Sequence, residues 1–415
     1  MSSSAAASRL HLRDLLHPVV AGMISVIVNY GGTFILIFQA AKVAGLSPDL
    51  TASWVWSVSI GVGMTGLLLS WVSREPIITA WSTPAAAFLV VALSTTPYAE
   101  AIGAYIISAA AFVLLGLSGC FDKVIRLIPP GVAAGLLAGI LLQFGIGAFA
   151  GMSLDPVLAG LLIAAYVVLK RFTARYAVVG ILVLGLGFLL TQGRVDFSGL
   201  TLQFATPVFT RPEFSVNALL SVALPLFLIT LTGQYMPGML VLRNDGFKTS
   251  ASPILAVTGL GSLLMAPFGS HAFNVAAITA AICTGKEASE DPSKRWIAGI
   301  AAGVFYIFVG IFGVTLAAVF MVFPATFITT LAGLALLGTI AASLASAMAD
   351  VKSREASLIT FLASAANIAM LGIGGAFWGL LIGLAAYALL NGRLPRRQTV
   401  ATTAEDAVVT KGATH

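Results

Sequence analysis

A chain of 415 residues that is 59% hydrophobic and only 9% charged, with a mean hydropathy of +1.00, lies far outside the range of soluble domains and reads as an integral membrane protein. The net charge of +6 suggests an anionic partner at first sight, but the basic residues sit between apolar runs, so they orient the chain in a membrane and imply no nucleic acid. Neither a Walker loop, a Gly-x-Ser-x-Gly elbow nor an acidic cluster is present, and Cys120 and Cys283 form neither a disulfide framework nor a metal pattern, so an ATP-driven pump, a membrane enzyme, a metal site and a cofactor are all unexpected.

In chain order, residues 1–17 form a polar, basic tail with no cleavage site after the first apolar run, which predicts a start anchor rather than a removed signal peptide. Apolar runs then predict about fourteen membrane segments, near 18–41, 50–72, 77–95, 98–121, 127–148, 155–171, 175–192, 215–242, 248–268, 270–285, 293–318, 321–348, 355–371 and 374–391. The polar, Thr-rich stretch beyond reads as a disordered tail. With the N-terminus in the cytoplasm, only Lys42, Arg194 and Arg211 of the 22 Lys and Arg fall outside, which predicts cytoplasmic N- and C-termini. Trp54, Trp56 and Trp71 fit an interfacial belt.

Two segments are broken. Trp81-Ser82-Thr83-Pro84 interrupts the third, and Pro267-Phe268-Gly269-Ser270-His271 opens the tenth. Ser82 or Thr83 is a good N-cap with Pro84 at the first helical position, and Ser270 is a good N-cap for a helix from His271 to Cys283. Each break therefore predicts a half-helix starting within the membrane. Pro130 with Ala138-Gly139 and Pro324 with Ala332-Gly333 open the fifth and twelfth segments in the same way, so the chain reads as two seven-segment repeats. An odd number of segments inverts the second repeat relative to the first. Two half-helix N-termini then face each other from opposite sides, an arrangement suited to an anion.

His271 is an intramembrane ionisable group, read either as a proton carrier and substrate donor or as a neutral residue bonded to backbone. Ser82, Thr83, Ser270 and Asn274 cluster with it as ligand contacts or caps. Trp81 and Phe273 are candidates to stack on an aromatic ligand or simply to pack. Asn29, Tyr30, Thr33 and Gln39 on the first segment, and Thr232, Gln234 and Tyr235 on the eighth, are cavity walls or interhelical glue. Gly131, Gly135 and Gly139 predict a small face for close helix packing.

The stretches Asn29-Tyr-Gly-Gly-Thr-Phe34, Thr79-Ala-Trp-Ser-Thr-Pro84, Thr232-Gly-Gln-Tyr-Met-Pro-Gly238 and Gly269-Ser-His-Ala-Phe-Asn274 resemble the benzoate:proton symporter (BenE) family of bacterial inner membranes, over about residues 15–392. The resemblance implies an all-α, seven-plus-seven inverted-repeat fold shared with uracil permease. It implies a core domain from 18–121 and 215–318, a gate domain from 122–195 and 319–392, an external linker at 196–214 and a cytoplasmic tail at 393–415. By that resemblance the function is proton-coupled uptake of benzoate or a related aromatic carboxylate by alternating access, with a uniporter, exchanger or channel for another anion as the alternative. The implied substrate contacts are Tyr30, Trp81, Ser82, Thr83, Gln234, Tyr235, Ser270, His271, Phe273 and Asn274, with His271 coupling the proton. Related folds often dimerise through the gate domain, so a homodimer is among the arrangements implied. The related nucleobase symporters use acidic residues on the eighth and tenth segments; this chain has Gln234, Tyr235, His271 and Asn274 there, which suits an anion better than a nucleobase.

Overall fold

The computed structural model describes residues 12–391 apart from 175, 278, 287, 369 and 372; the two tails expected from the sequence lie largely outside the described residues. Each expected segment has a counterpart, numbered here to match. In the first half these are α1 (Leu12–Thr33, resuming as Ile35–Val43), α2 (Pro48–Ser73), β1 (Thr79–Trp81) leading into α3 (Thr83–Ala92), α4 (Tyr98–Ser118), α5 (Pro130–Leu154), α6 (Pro156–Phe172) and α7 (Ala177–Thr191). In the second half they are α8 (Val216–Asn244), α9 (Ala251–Met265), β2 (Phe273–Val275) leading into α10 (Ala280–Thr284), α11 (Trp296–Ile311, resuming as Gly313–Met321), α12 (Ala325–Ala349), α13 (Arg354–Ala365) and α14 (Gly375–Asn391). Eight of the described helices are long and apolar enough to cross a bilayer on their own.

Local chemistry sets the helix starts. Ser47 accepts the Leu50 amide at 3.3 Å with Pro48 at the first position, and Asp155 accepts the Leu158 amide at 3.1 Å ahead of Pro156. Two π-turns, Leu219–Ala223 and Leu231–Tyr235, interrupt α8 just ahead of Pro225 and Pro237. Each proline lacks the amide that would continue the regular ladder, and a widened turn absorbs the mismatch.

The packing itself repeats. The contact of α2 with α11 recurs as that of α9 with α4, α5 with α13 recurs as α12 with α6, and α1 with α10 recurs as α8 with α3; α5 and α12 meet each other directly. Shifting every number by seven maps one set of contacts onto the other, as an inverted repeat requires. The expected small face on α5 is present, with Gly131, Gly135 and Gly139 packed against Ser357, Phe361 and Ser364 of α13.

Basic residues gather at one end of the bundle. There Arg74 stacks between Trp71 and Trp296, at 4.7 and 4.2 Å, and Glu75 accepts the amides of Lys248 and Thr249 at 3.1 and 3.0 Å. At the opposite end Arg194 pairs with Asp155 at 2.6 Å and the linker is tied down through Ala205, Thr210 and Glu213.

One sequence expectation fails. No helix starts at Ser270: after Gly269 the chain is extended through Val275, and α10 begins only at Ala280 without a side-chain cap. The Ser270 hydroxyl instead bonds the His271 carbonyl at 3.1 Å. Residues 271–276 reach a better set of hydrogen bonds by pairing with the first break than by coiling on themselves, and Phe273 and Val275 favour extended backbone. A second correction concerns Trp54, which is fully buried within the bundle rather than at an interface.

Candidate functional site

The two breaks meet as a short antiparallel ribbon with Thr79 opposite Val275, Ala80 opposite Asn274 and Trp81 opposite Phe273. Ser82 N–H to the Ala272 carbonyl, 3.0 Å, and Ala276 N–H to the Ile78 carbonyl, 2.8 Å, extend the pairing at both ends. A two-stranded ribbon inside a membrane would expose unpaired backbone at its edges, which lipid cannot satisfy. Side-chain hydroxyls tie the ribbon and the turns beside it to the flanking helices. Thr79 reaches the Val62 carbonyl at 2.7 Å, Ser70 the Ile77 carbonyl at 3.0 Å, and Ser53 the Phe268 carbonyl at 2.9 Å. Ser262 accepts the Phe273 amide at 2.8 Å, and Tyr235 donates to the Phe273 carbonyl at 2.9 Å.

Alternation along the strands divides the predicted site residues between two faces. One face meets α8. There Ser82 caps α3 by accepting the Ala85 amide at 3.3 Å, and it receives the Thr230 hydroxyl at 2.9 Å. Asn274 donates to the Val275 carbonyl at 2.9 Å and reaches the Gln234 amide oxygen at 3.5 Å, while its own buried Oδ1 has no partner. Gln234 lies in the second π-turn of α8, two residues before the start of α8's last stretch at Met236-Pro237. Thr83, at the first turn of α3, donates to Thr33 of α1 at 3.3 Å. Leu137 of α5 and Pro84 of α3 stand beside Gly233, so α3, α5 and α8 meet at this spot.

The other face meets α2. The Phe273 ring fills the space between Gly61 and Gly261, and a Cβ on Gly61 would fall 2.2 Å from that ring, so Phe273 is locked in packing. Trp81 is fully buried against Tyr30, Phe34 and Tyr306, with ring centroids at 5.2, 5.0 and 6.1 Å, and its indole N–H has no partner. The Tyr30 hydroxyl is taken by Ser59 at 2.6 Å. His271 is fully buried; its Nδ1 accepts the Trp54 indole N–H at 3.3 Å, and its Nε2 completes no hydrogen bond although the ring lies beside the Ser82 backbone.

Ser82, Thr83, Gln234 and Asn274 are thus brought together. Trp81, Phe273 and His271 lie across the ribbon from them, Tyr235 is spent on the Phe273 carbonyl and Thr258, and Ser270 on local backbone. Sequence reasoning missed Thr230, Trp54, Asn29 as the partner of Tyr306 at 2.7 Å, and the serines of α2. Thr230 was within reach of a helical-periodicity argument, because it lies four residues before Gln234 on the same face of α8. A separate crevice opens at the end opposite the basic one, lined by Phe88, Ile140, Gln143, Ser221, Ser364 and Asn367, and none of the predicted site residues lines it. Among the described residues, no acidic side chain stands in the ribbon or among the side chains facing it.

Comparison with known proteins places this geometry in context. Residues 15–389 match the family model described as BenE, benzoate membrane transport protein. The chain is 41% identical over 375 residues to the benzoate membrane transport protein of Acinetobacter baylyi, covering 90% of this chain and 95% of that one. It is 39% identical over 373 residues to the inner membrane protein YdcO of Escherichia coli, with the same coverage of each. Among solved structures, the transmembrane domain of a cyanobacterial bicarbonate transporter, BicA, matches with a TM-score of 0.59 at 15% identity over 90% of this chain and 98% of that one. The transporter structure SLC26A9 matches with a TM-score of 0.62 at 13% identity over 92% of this chain and 66% of that one. These two likenesses establish the fold.

Proposed function

Because the chain belongs to the benzoate membrane transport family, whose members are transporters and not enzymes, we propose that it carries benzoate or a close aromatic carboxylate across the bacterial inner membrane together with one proton. The observation that carries this reading is a buried cluster of hydroxyl and amide groups at the capped N-terminus of α3, with no acidic side chain beside it among the described residues to repel an anion. The carboxylate sits at the start of α3, held by the Thr83 and Gln234 side chains, and the ring lies against Pro84 and Leu137. The basic end of the bundle faces the cytoplasm, with both termini. Residues 18–121 and 215–318 move as a core that carries the ribbon, and 122–195 and 319–392 form the gate against which it slides or rocks.

Coupling has a clear energetic use. A carboxylic acid of pKa about 4 is neutral in roughly one molecule per thousand at pH 7, so passive entry is limited. Moving the anion alone into a negative interior costs about 2.3 kcal/mol per 100 mV, and a co-transported proton cancels that charge. His271 takes that proton. A cationic ring behind the ribbon raises the potential at the start of α3, so carboxylate and proton each favour binding of the other.

The test is radiolabelled benzoate uptake into proteoliposomes with an imposed inward proton gradient, with and without protonophore. Accumulation beyond that of protein-free liposomes, abolished by protonophore, is the expected result. Benzoate-driven currents without accumulation would replace symport with channel or uniport conduction.

A further inference from the structure

The imidazole of His271 is fixed by one side chain that no functional reading has used. Trp54 of α2 is fully buried, and its indole N–H can only donate. It donates to His271 Nδ1 at 3.3 Å, with the two rings edge-on at 5.9 Å and 79°. A nitrogen that accepts cannot also carry the ring proton, so the neutral imidazole must hold its proton on Nε2. Nε2 is the nitrogen left without a partner in a fully buried side chain, beside the Ser82 backbone that starts α3. Trp54 is itself held, because Gly269 turns the chain at φ +107° against its Cα and Cβ, with Tyr98 at the same corner.

We infer that Trp54 is a positioning residue for proton transfer: it holds neutral His271 in the Nε2–H tautomer, aimed at the start of α3, and it must release Nδ1 when the ring takes its second proton. The inference rests on the reading of His271 as the proton carrier. Protonation at Nδ1 breaks the bond from Trp54, because two N–H groups cannot share that position. Proton arrival on the α2 side of the ribbon is thereby tied to a change in ring position on the side that meets Ser82. The titratable groups nearest Trp54 are Tyr98 and Tyr105 of α4, whose rings lie 6.2 and 6.5 Å from its own; at the ends of the elements packed here Asp49 in the first turn of α2 and Arg211 and Glu213 of the linker are exposed, and Glu100 in the first turn of α4 receives the Ser215 hydroxyl.

Trp54→Phe keeps an aromatic ring and removes the donor. Nδ1 then takes a proton without first losing a hydrogen bond, so the alkaline limb of proton-driven benzoate uptake should move up by roughly 0.5–1 pH unit. A merely packed Trp54 would lower the maximal rate and leave the pH profile where it was, which would overturn the inference. His271→Gln is measured beside it. If His271→Gln keeps the wild-type pH dependence, the proton-carrier reading falls, and the role of Trp54 with it; if it abolishes that dependence while Trp54→Phe leaves the profile in place, only the Trp54 inference falls. A variant that keeps both Trp54 and His271 supplies a second readout. With His11, His17 and His415 replaced by Gln, the imidazole ¹⁵N shifts of the remaining histidine should report the Nε2–H form at alkaline pH. An Nδ1–H form would contradict the inference outright.

Discussion

The two breaks do the same work with different chemistry. Each follows a helix that ends in a left-handed residue, Arg74 at φ 56° after α2 and Gly269 at φ 107° after α9, and each delivers three residues to the ribbon. Beyond the ribbon they diverge. The first enters α3, ten residues long, capped by Ser82 and started by Pro84, whereas the second continues without a helix to α10, five residues long and uncapped by any side chain. A positive helix end at the site therefore comes from the first repeat alone, while the second contributes side chains, Asn274 on one face and His271 on the other. Inverted repeats can share a path for the backbone and still divide binding between a helix terminus and polar groups.

Substitutions can break this comparison in order of size. Gly269→Val should be the most damaging, because it combines a left-handed backbone with a Cβ 3.0 Å from that of Trp54; a loss of roughly 2–5 kcal/mol is expected, read as a much lower melting temperature in detergent. At the matching turn, Arg74→Gly keeps the backbone at ease and loses only the stack on Trp71 and Trp296, about 0.5–1 kcal/mol. Ser82→Ala removes the cap and the partner of Thr230 and should cost about 1–2 kcal/mol together with weaker benzoate binding by calorimetry. Ser270→Ala uncaps no helix and should cost less than Ser82→Ala in the same assay; an equal or larger loss would restore the symmetry denied above. Tyr235→Phe frees the Phe273 carbonyl and should cost about 1–1.5 kcal/mol, seen as faster amide exchange in residues 271–276.

Much of this was readable before any coordinates. Apolar runs, basic loops and Pro-marked helix starts were enough to number the segments, because membrane spans must satisfy their own backbone. The first break was legible for the same reason: Ser82 and Pro84 carry cap chemistry that acts locally. The second was misread at Ser270, since a local cap signal lost to strand pairing with residues almost 200 positions away, an interaction that sequence periodicity does not register. Trp54 was misassigned because its partner, His271, is likewise distant in the chain. The serines of α2 carried no signal in the sequence, because Ser53 and Ser70 serve carbonyls of the turn before the second break and of the approach to the first, contacts that only the fold creates. The π-turns of α8 were foreshadowed by Pro225 and Pro237, but prolines alone do not distinguish a kink from a widened turn.

The central claim is that an aromatic carboxylate binds at the start of α3, on the face of the ribbon that meets α8. A structure of the protein with benzoate bound tests it most directly. The account predicts density for the carboxylate within hydrogen-bond distance of Thr83 and Gln234, with the ring beside Pro84 and Leu137. Benzoate found instead in the crevice at Gln143 and Ser364, with the start of α3 closed to it, would contradict that claim.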